Sequence, residues 1–193
     1  MKEVNVIYWS STGNTQAMAE AVGAGVEEAG GKANVMEVSA ADVSMLKDAD
    51  SFALGASAMG DEELDAEMDD FVTAVEGICA GKTVGLFGSY DWGDGEWMRK
   101  WVDRMTAAGA TVVNGEGVIA NLTPDDDAAA ACKALGAALA KLQYRDRTHY
   151  RSEAGNPGIP LRKIWVLCSD DAADSCLRIV GLAVRLPQTP VAA

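Results

Sequence analysis

A chain of 193 residues, 49% of them apolar, is long enough for one domain with a full core, and its formal charge of −13 argues against nucleic acid, whose phosphates would repel it. The four Cys, at 79, 132, 168 and 176, contain no Cys-x-x-Cys pair and His149 stands alone, so no metal site is expected and the chain fits a reducing compartment. No run approaches the ~20 apolar residues of a membrane helix, and Met1-Lys2-Glu3 leads into a strand and not a signal peptide, which together imply a cytoplasmic protein with no membrane contact.

Val4 to Trp9 is a short apolar run bounded by polar residues, the pattern of a buried parallel strand. It feeds into Ser10-Ser11-Thr12-Gly13-Asn14-Thr15, after which Gln16 to Ala29 reads as a helix with Met18, Ala21, Val22 and Val26 on one face. Gly23 and Gly25 weaken that helix by about 1 kcal/mol each against Ala, and Gly30-Gly31 ends it. Ala33 to Val38 is a second strand, Ala41 to Leu46 a short helix, and Ser51 to Ser57 a third strand. Glu62 to Ile78 is expected to be helical, with acids at its N-terminus, where the helix dipole favours them. Thr83 to Ser89 is a fourth strand and Glu96 to Ala107 a helix carrying Trp97, Trp101, Val102 and Met105. A fifth strand starts at Thr111 to Val113 and is continued or interrupted near Val118-Ile119; Asp125 to Leu142 is a closing helix. Five strands alternating with helices imply a parallel sheet covered on both faces. Ligands in such folds lie beyond the carboxyl ends of the strands.

Three loops sit at those ends. In the first, five of the six residues from Ser10 to Thr15 are Ser, Thr or Asn and the sixth is Gly, where a helix begins. Hydroxyls and free amides at a helix N-terminus suit a phosphate. With no Lys or Arg in the loop, one monoester fits better than a triphosphate with its metal. Ser57-Ala58-Met59-Gly60-Asp61-Glu62-Glu63 follows strand three, and Ser89-Tyr90-Asp91-Trp92-Gly93-Asp94-Gly95 follows strand four. Each puts a large polarisable side chain, Met59 or Trp92, on a Gly-containing turn, where it buries little unless it covers something flat. A phosphate at one loop and a planar ring at two others describe a mononucleotide such as FMN.

Residues 8–15, 58–62 and 85–98 resemble, in order and spacing, the phosphate loop and the two flavin loops of short-chain flavodoxins of the clostridial and related anaerobic type. The similarity runs from about residue 3 to 142. It implies an α/β fold of the flavodoxin type, a doubly wound five-stranded parallel sheet in the order 2-1-3-4-5. It also implies a low-potential one-electron carrier with non-covalent FMN. By resemblance, Ser10, Ser11, Thr12, Gly13, Asn14 and Thr15 hold the phosphate, helped by Ser57 and Ser89. Met59, on its turn with Ala58, Gly60 and Asp61, lies on the inner flavin face and Trp92 on the outer. Glu62 is similar to the family's acceptor for flavin N3–H, backbone groups around Tyr90, Asp91 and Gly93 meet the pyrimidine edge, and Asn121 reaches the ribityl chain. Asp91 stands where the pattern usually has Gly, so strain at a positive φ is expected there.

Residues 1–143 hold nine Lys and Arg against 24 Asp and Glu, a net of −15; residues 144–193 hold seven against five, a net of +2. The division predicted is an FMN-binding domain over 1–143 and an extra C-terminal tail, disordered or loosely docked, over 144–193. The acidic domain favours steered docking to basic-rimmed redox partners, such as reductases, dehydrogenases or proteins that exchange with ferredoxins, by a monomer. Two other classes compete. A flavodoxin-like FMN-dependent NAD(P)H or quinone reductase shares the phosphate loop but needs extra loops for substrate. A phospho-receiver needs clustered Asp after strand one, where Trp9-Ser10 stand instead.

Overall fold

The computed structural model describes residues 3–145. The tail from 146 to 193, with His149, Cys168 and Cys176, lies outside the described residues. Among the described residues, six strands alternate with four helices: β1 (Glu3–Trp9), α1 (Asn14–Glu28), β2 (Lys32–Glu37), β3 (Ser51–Ala56), α2 (Ala66–Glu76), β4 (Thr83–Tyr90), α3 (Glu96–Ala107), β5 (Thr111–Val112), β6 (Val118–Asn121) and α4 (Asp126–Arg145). Every strand pairing is parallel, in the order β2-β1-β3-β4-β5. β6 pairs with the far end of β4, Phe87 to Tyr90 against Val118 to Asn121, so β5 and β6 are two halves of one interrupted edge strand.

The side-chain period of two along each strand sorts the core onto two faces. Ile7, Phe52, Leu54, Val84 and Leu86 pack with Met68, Phe71 and Val72 of α2 and with Trp97, Trp101 and Met105 of α3. Val4, Val6, Ala53 and Phe87 pack on the other face with Met18, Val22 and Val26 of α1 and with Cys132, Leu135 and Leu139 of α4. Burial pushes the Cys132 thiol up to about 12, so it stays a neutral apolar filler.

The structure corrects three local expectations. The short helix expected over Ala41 to Leu46 is a 3₁₀ turn that starts only at Val43 and ends at Leu46, capped by Asp42, whose carboxylate accepts from the Ser44 amide at 2.7 Å; a separate 3₁₀ turn over Val38–Ala40 precedes it. The helix expected from Glu62 begins only at Ala66, because Asp65 caps it, accepting the Glu67 amide at 2.9 Å. Glu62 is left in the turn before it. Of the two α1 glycines read as weaknesses, Gly25 marks a seam with α4, as does Gly136 from the other side. A Cβ on Gly25 would stand 2.0 Å from the carbonyl oxygen of Lys133, and one on Gly136 would stand 2.0 Å from that of Val22. The two helices approach backbone to backbone, so the local loss of helix propensity is offset by packing.

Candidate functional site

All three loops reach the carboxyl end of the sheet. The first is closed by its own chemistry: the Ser10 hydroxyl accepts the Gly13 amide at 3.1 Å. Gly13 caps α1 with φ 87, a left-handed value other residues adopt only with strain, and no side chain caps the helix there. Among the described residues, the first-turn amides of Asn14, Thr15 and Gln16 have no protein acceptor. They form a ready anion site. Ser11 and Thr12 are exposed beside it.

Beneath the loop lies a buried cluster of three hydroxyls, one from each neighbouring element. Thr15 Oγ1 is 2.8 Å from Ser57 Oγ and 3.1 Å from Ser89 Oγ, and the two serines are 3.4 Å apart. Thr15 also accepts the Ser89 amide at 3.4 Å. Ser57 and Ser89 therefore sit under Thr15, at the ends of β3 and β4, and tie the helix start to the sheet. A hydroxyl proton rotates to suit its acceptor, so these groups can also donate to an anion.

The second loop is a tight turn. Met59 and Glu63 exchange both backbone hydrogen bonds at 2.9 Å, with Gly60, Asp61 and Glu62 between them. Gly60 has φ 38 and Glu62 has φ 55. For Glu62 a left-handed backbone costs roughly 1–2 kcal/mol. Its side chain compensates: Oε1 accepts the amides of Asp94, Gly95 and Glu96 at 3.1, 3.0 and 3.3 Å. A buried carboxylate from one loop thus caps the helix that follows the other. Gly93 leaves room for it, since a Cβ there would come within 2.2 Å of that oxygen.

The third loop is held from both ends. Glu62 grips residues 94–96, and Asn121 Nδ2 donates to the carbonyl oxygens of Tyr90 at 3.3 Å and Asp91 at 3.0 Å. Between these grips the amides of Asp91, Trp92 and Gly93 donate to no acceptor among the described residues. Asp91 is exposed and its φ is not positive, so the strain expected there is absent. The Ala58 amide donates to the Ser89 carbonyl at 2.9 Å and joins the second loop to the third. Met59 is 36% exposed and Trp92 59%, too open for either to serve as a core anchor.

The donor set fits FMN: an uncapped helix start with surrounding hydroxyls for a phosphate, two uncovered polarisable side chains for a ring, and three free amides beside them for its polar edge. Sequence reasoning had named these residues. It missed the use of Glu62 as a cap and of Asn121 as a loop clamp, because neither partner is near in sequence.

Comparison with known proteins points to one family. The family model described as Flavodoxin matches residues 6–134. The chain is similar to the flavodoxin of Megasphaera elsdenii, 44% identical over 139 residues, covering 72% of this chain and 98% of that one. It is similar also to the flavodoxin of Clostridium beijerinckii, 39% identical over 140 residues, covering 72% and 100%. The solution structure of two-electron reduced Megasphaera elsdenii flavodoxin superposes with a TM-score of 0.64 at 43% identity, over 72% of this chain and 98% of that one. Ordered motifs, sheet order and relatives converge, and the chain belongs to the flavodoxin family of FMN-binding electron carriers, which are electron-transfer proteins and not enzymes.

Proposed function

We propose that the three loops divide FMN between them, with residues 10–15 on the phosphate and residues 57–63 and 89–93 on the ring. The uncapped N-terminus of α1 above the Thr15, Ser57 and Ser89 hydroxyls carries this reading. Bound FMN supplies the one-electron redox chemistry, and the protein supplies binding, orientation and electrostatics. Ser10, Ser11, Thr12 and Asn14 complete the phosphate cradle, which neutral donors alone suffice to build. Met59 covers the inner face of the ring and Trp92 the outer. The amides of 91–93 and the Glu62 carboxylate address its pyrimidine edge. Ala58 and Gly60 carry the backbone that faces the ring from the second loop. By holding the ring between apolar side chains, the site excludes water from it. Acidic neighbours then disfavour added negative charge, which suits a low-potential carrier.

The experiment is a titration of the apoprotein with FMN and with riboflavin, which lacks the phosphate. Thr12→Ala is expected to weaken FMN about tenfold and to leave riboflavin unchanged. Trp92→Ala is expected to weaken both, by about fivefold or more. Equal effects of Thr12→Ala on both ligands would reverse the assignment of the first loop.

The partners proposed are basic-rimmed redox proteins in the cytoplasm, met in transient complexes. Asp61, Glu63, Glu67 and Asp91 are exposed around the mouth and make no ion pair among the described residues. Asp94 and Glu96 are paired with Arg99 at 2.7 Å and Lys100 at 2.9 Å, so they contribute less to the outward field. Surface charges act over roughly 10 Å at 0.1 M salt. Stopped-flow electron transfer to a basic partner should therefore slow steeply as salt rises; a flat profile would reduce the acidity to a solubility device. No helix among the described residues is long and apolar enough to cross a membrane.

A further inference from the structure

We propose that Asn121 is a positioning residue for the flavin, acting through the backbone of the Trp92 loop and not by touching the ribityl chain. The inference rests on the reading above that this loop holds the ring. Its basis is where the interrupted edge strand ends. After β5, residues 113–117 leave the sheet, with Asn114 at φ 59 and Gly115 at φ 72. β6 then returns beside β4, and its last rung pairs Tyr90 with Asn121.

At that rung the ladder of β4 stops and the ring loop begins. The two carbonyls at the junction are both taken by the end of β6. The Leu122 amide donates to Tyr90 at 2.7 Å, and Asn121 Nδ2 donates to Tyr90 and to Asp91. Leu122 adopts φ 56 at this point, with its side chain exposed. A strained backbone that gains no packing is consistent with a turn whose task is to place those donors. A carbonyl held toward Asn121 fixes the orientation of the peptide that follows it. The Tyr90 and Asp91 carbonyls therefore set where the amides of Asp91 and Trp92 point. Asn121 and Glu62 are thus the two clamps between which the free amides and the Trp92 side chain stand. Asn121 is itself exposed, and both donor protons of its amide are engaged by the loop.

The test uses the full-chain apoprotein and three ligands: lumiflavin, which is the ring with no ribityl chain, riboflavin and FMN, each followed by flavin fluorescence. Asn121→Asp keeps the side-chain shape but removes both donors; Asn121→Ala removes the side chain. Both variants are expected to weaken all three ligands by one common factor, about three- to tenfold. Losses confined to riboflavin and FMN would mean direct contact with the ribityl chain and would overturn the proposal. Unchanged affinity for all three would overturn it as well, even if the urea midpoint of the apoprotein fell. Trp92→Ala separates this inference from its premise. If that variant leaves lumiflavin binding intact, the ring-loop assignment itself fails. If it weakens lumiflavin while the Asn121 variants do not, only the clamp fails.

Discussion

The phosphate end and the ring end of the site are built by different means. Residues 10–15 are one continuous stretch in which the loop closes on itself through Ser10 and Gly13, and the donors are the first amides of the helix it begins. The ring loops have little structure of their own beyond the Met59–Glu63 turn. Their geometry comes from bonds that cross between them: Glu62 to the start of α3, Asn121 to Tyr90 and Asp91, and Ala58 to Ser89. A locally closed loop presents the same donors whatever its neighbours do. A cross-braced pair moves together, so a change in one loop is felt in the other and reaches the electronics of the ring. On the proposed assignment of the loops, affinity for the phosphate and tuning of the redox step should therefore be separable.

Glu62→Ala should break the ring end most severely. It removes the acceptor of three amides and leaves the start of α3 uncapped; loss of a helix cap alone costs about 0.5–2 kcal/mol, and bonds to a charged group about 1.5–3 kcal/mol. The apoprotein should lose about 2 kcal/mol in urea unfolding, and riboflavin should bind at least tenfold more weakly. Glu62→Gln, which keeps an acceptor oxygen, should recover most of the stability. An unchanged urea midpoint in Glu62→Ala would show that the loops are not braced through this carboxylate.

Thr15→Val keeps the shape and removes the central hydroxyl of the buried cluster. It leaves the Ser89 amide without its acceptor, a loss of about 1–3 kcal/mol. The effect should be read in FMN affinity and stability, with riboflavin affinity altered far less. Equal loss for both ligands would erase the distinction between the two ends.

Gly60→Ala places a Cβ at φ 38, where nothing lies within 4 Å, so the effect is conformational and not steric crowding. The strain is roughly 1 kcal/mol, and 59 mV corresponds to about 1.4 kcal/mol for one electron. If the backbone of this turn adjusts between redox states, the first-electron potential should fall by some tens of millivolts while oxidised FMN still binds. A redox titration followed by absorbance decides it; an unmoved potential would place the adjustment elsewhere.

The smallest effect is expected from ending the chain after Arg145. Every proposed site residue precedes it, and FMN affinity should stay within tenfold of that of the full chain. A larger loss, above ~1.4 kcal/mol, would mean that the site depends on residues 146–193.

The parallel sheet and the three loops were legible because each rests on a short-range pattern, whereas the strand order followed from the family resemblance. Alternating apolar runs mark strands, and a Ser/Thr/Asn/Gly cluster between strand and helix marks an anion site. Glu62 shows where that legibility ends. Four acids in a row of seven read as the dipole-favoured start of a helix, yet Asp65 takes the cap, and Glu62 is committed to amides more than 30 residues away. Asp91 shows the same limit in reverse: a residue unusual for its motif suggested strain at a positive φ, but its φ is not positive. Gly25 looked like a local defect, and only the approach of a distant carbonyl reveals what it is for.

That helix seam has a consequence for how the carrier is made. α1 brings the proposed anion site, but it packs against α4, the last element among the described residues, through Val22, Val26, Cys132, Leu135 and Leu139. A nascent chain that has produced the first loop still lacks the surface on which α1 must rest. Synthesis at ~5–20 residues per second places α4 several seconds behind the loop. The cofactor therefore meets a competent site only after nearly the whole domain has been translated. Flavin retention is therefore expected to begin only once α4 has been made, and a ribosome stalled before residue 139 should carry a polypeptide that does not hold flavin.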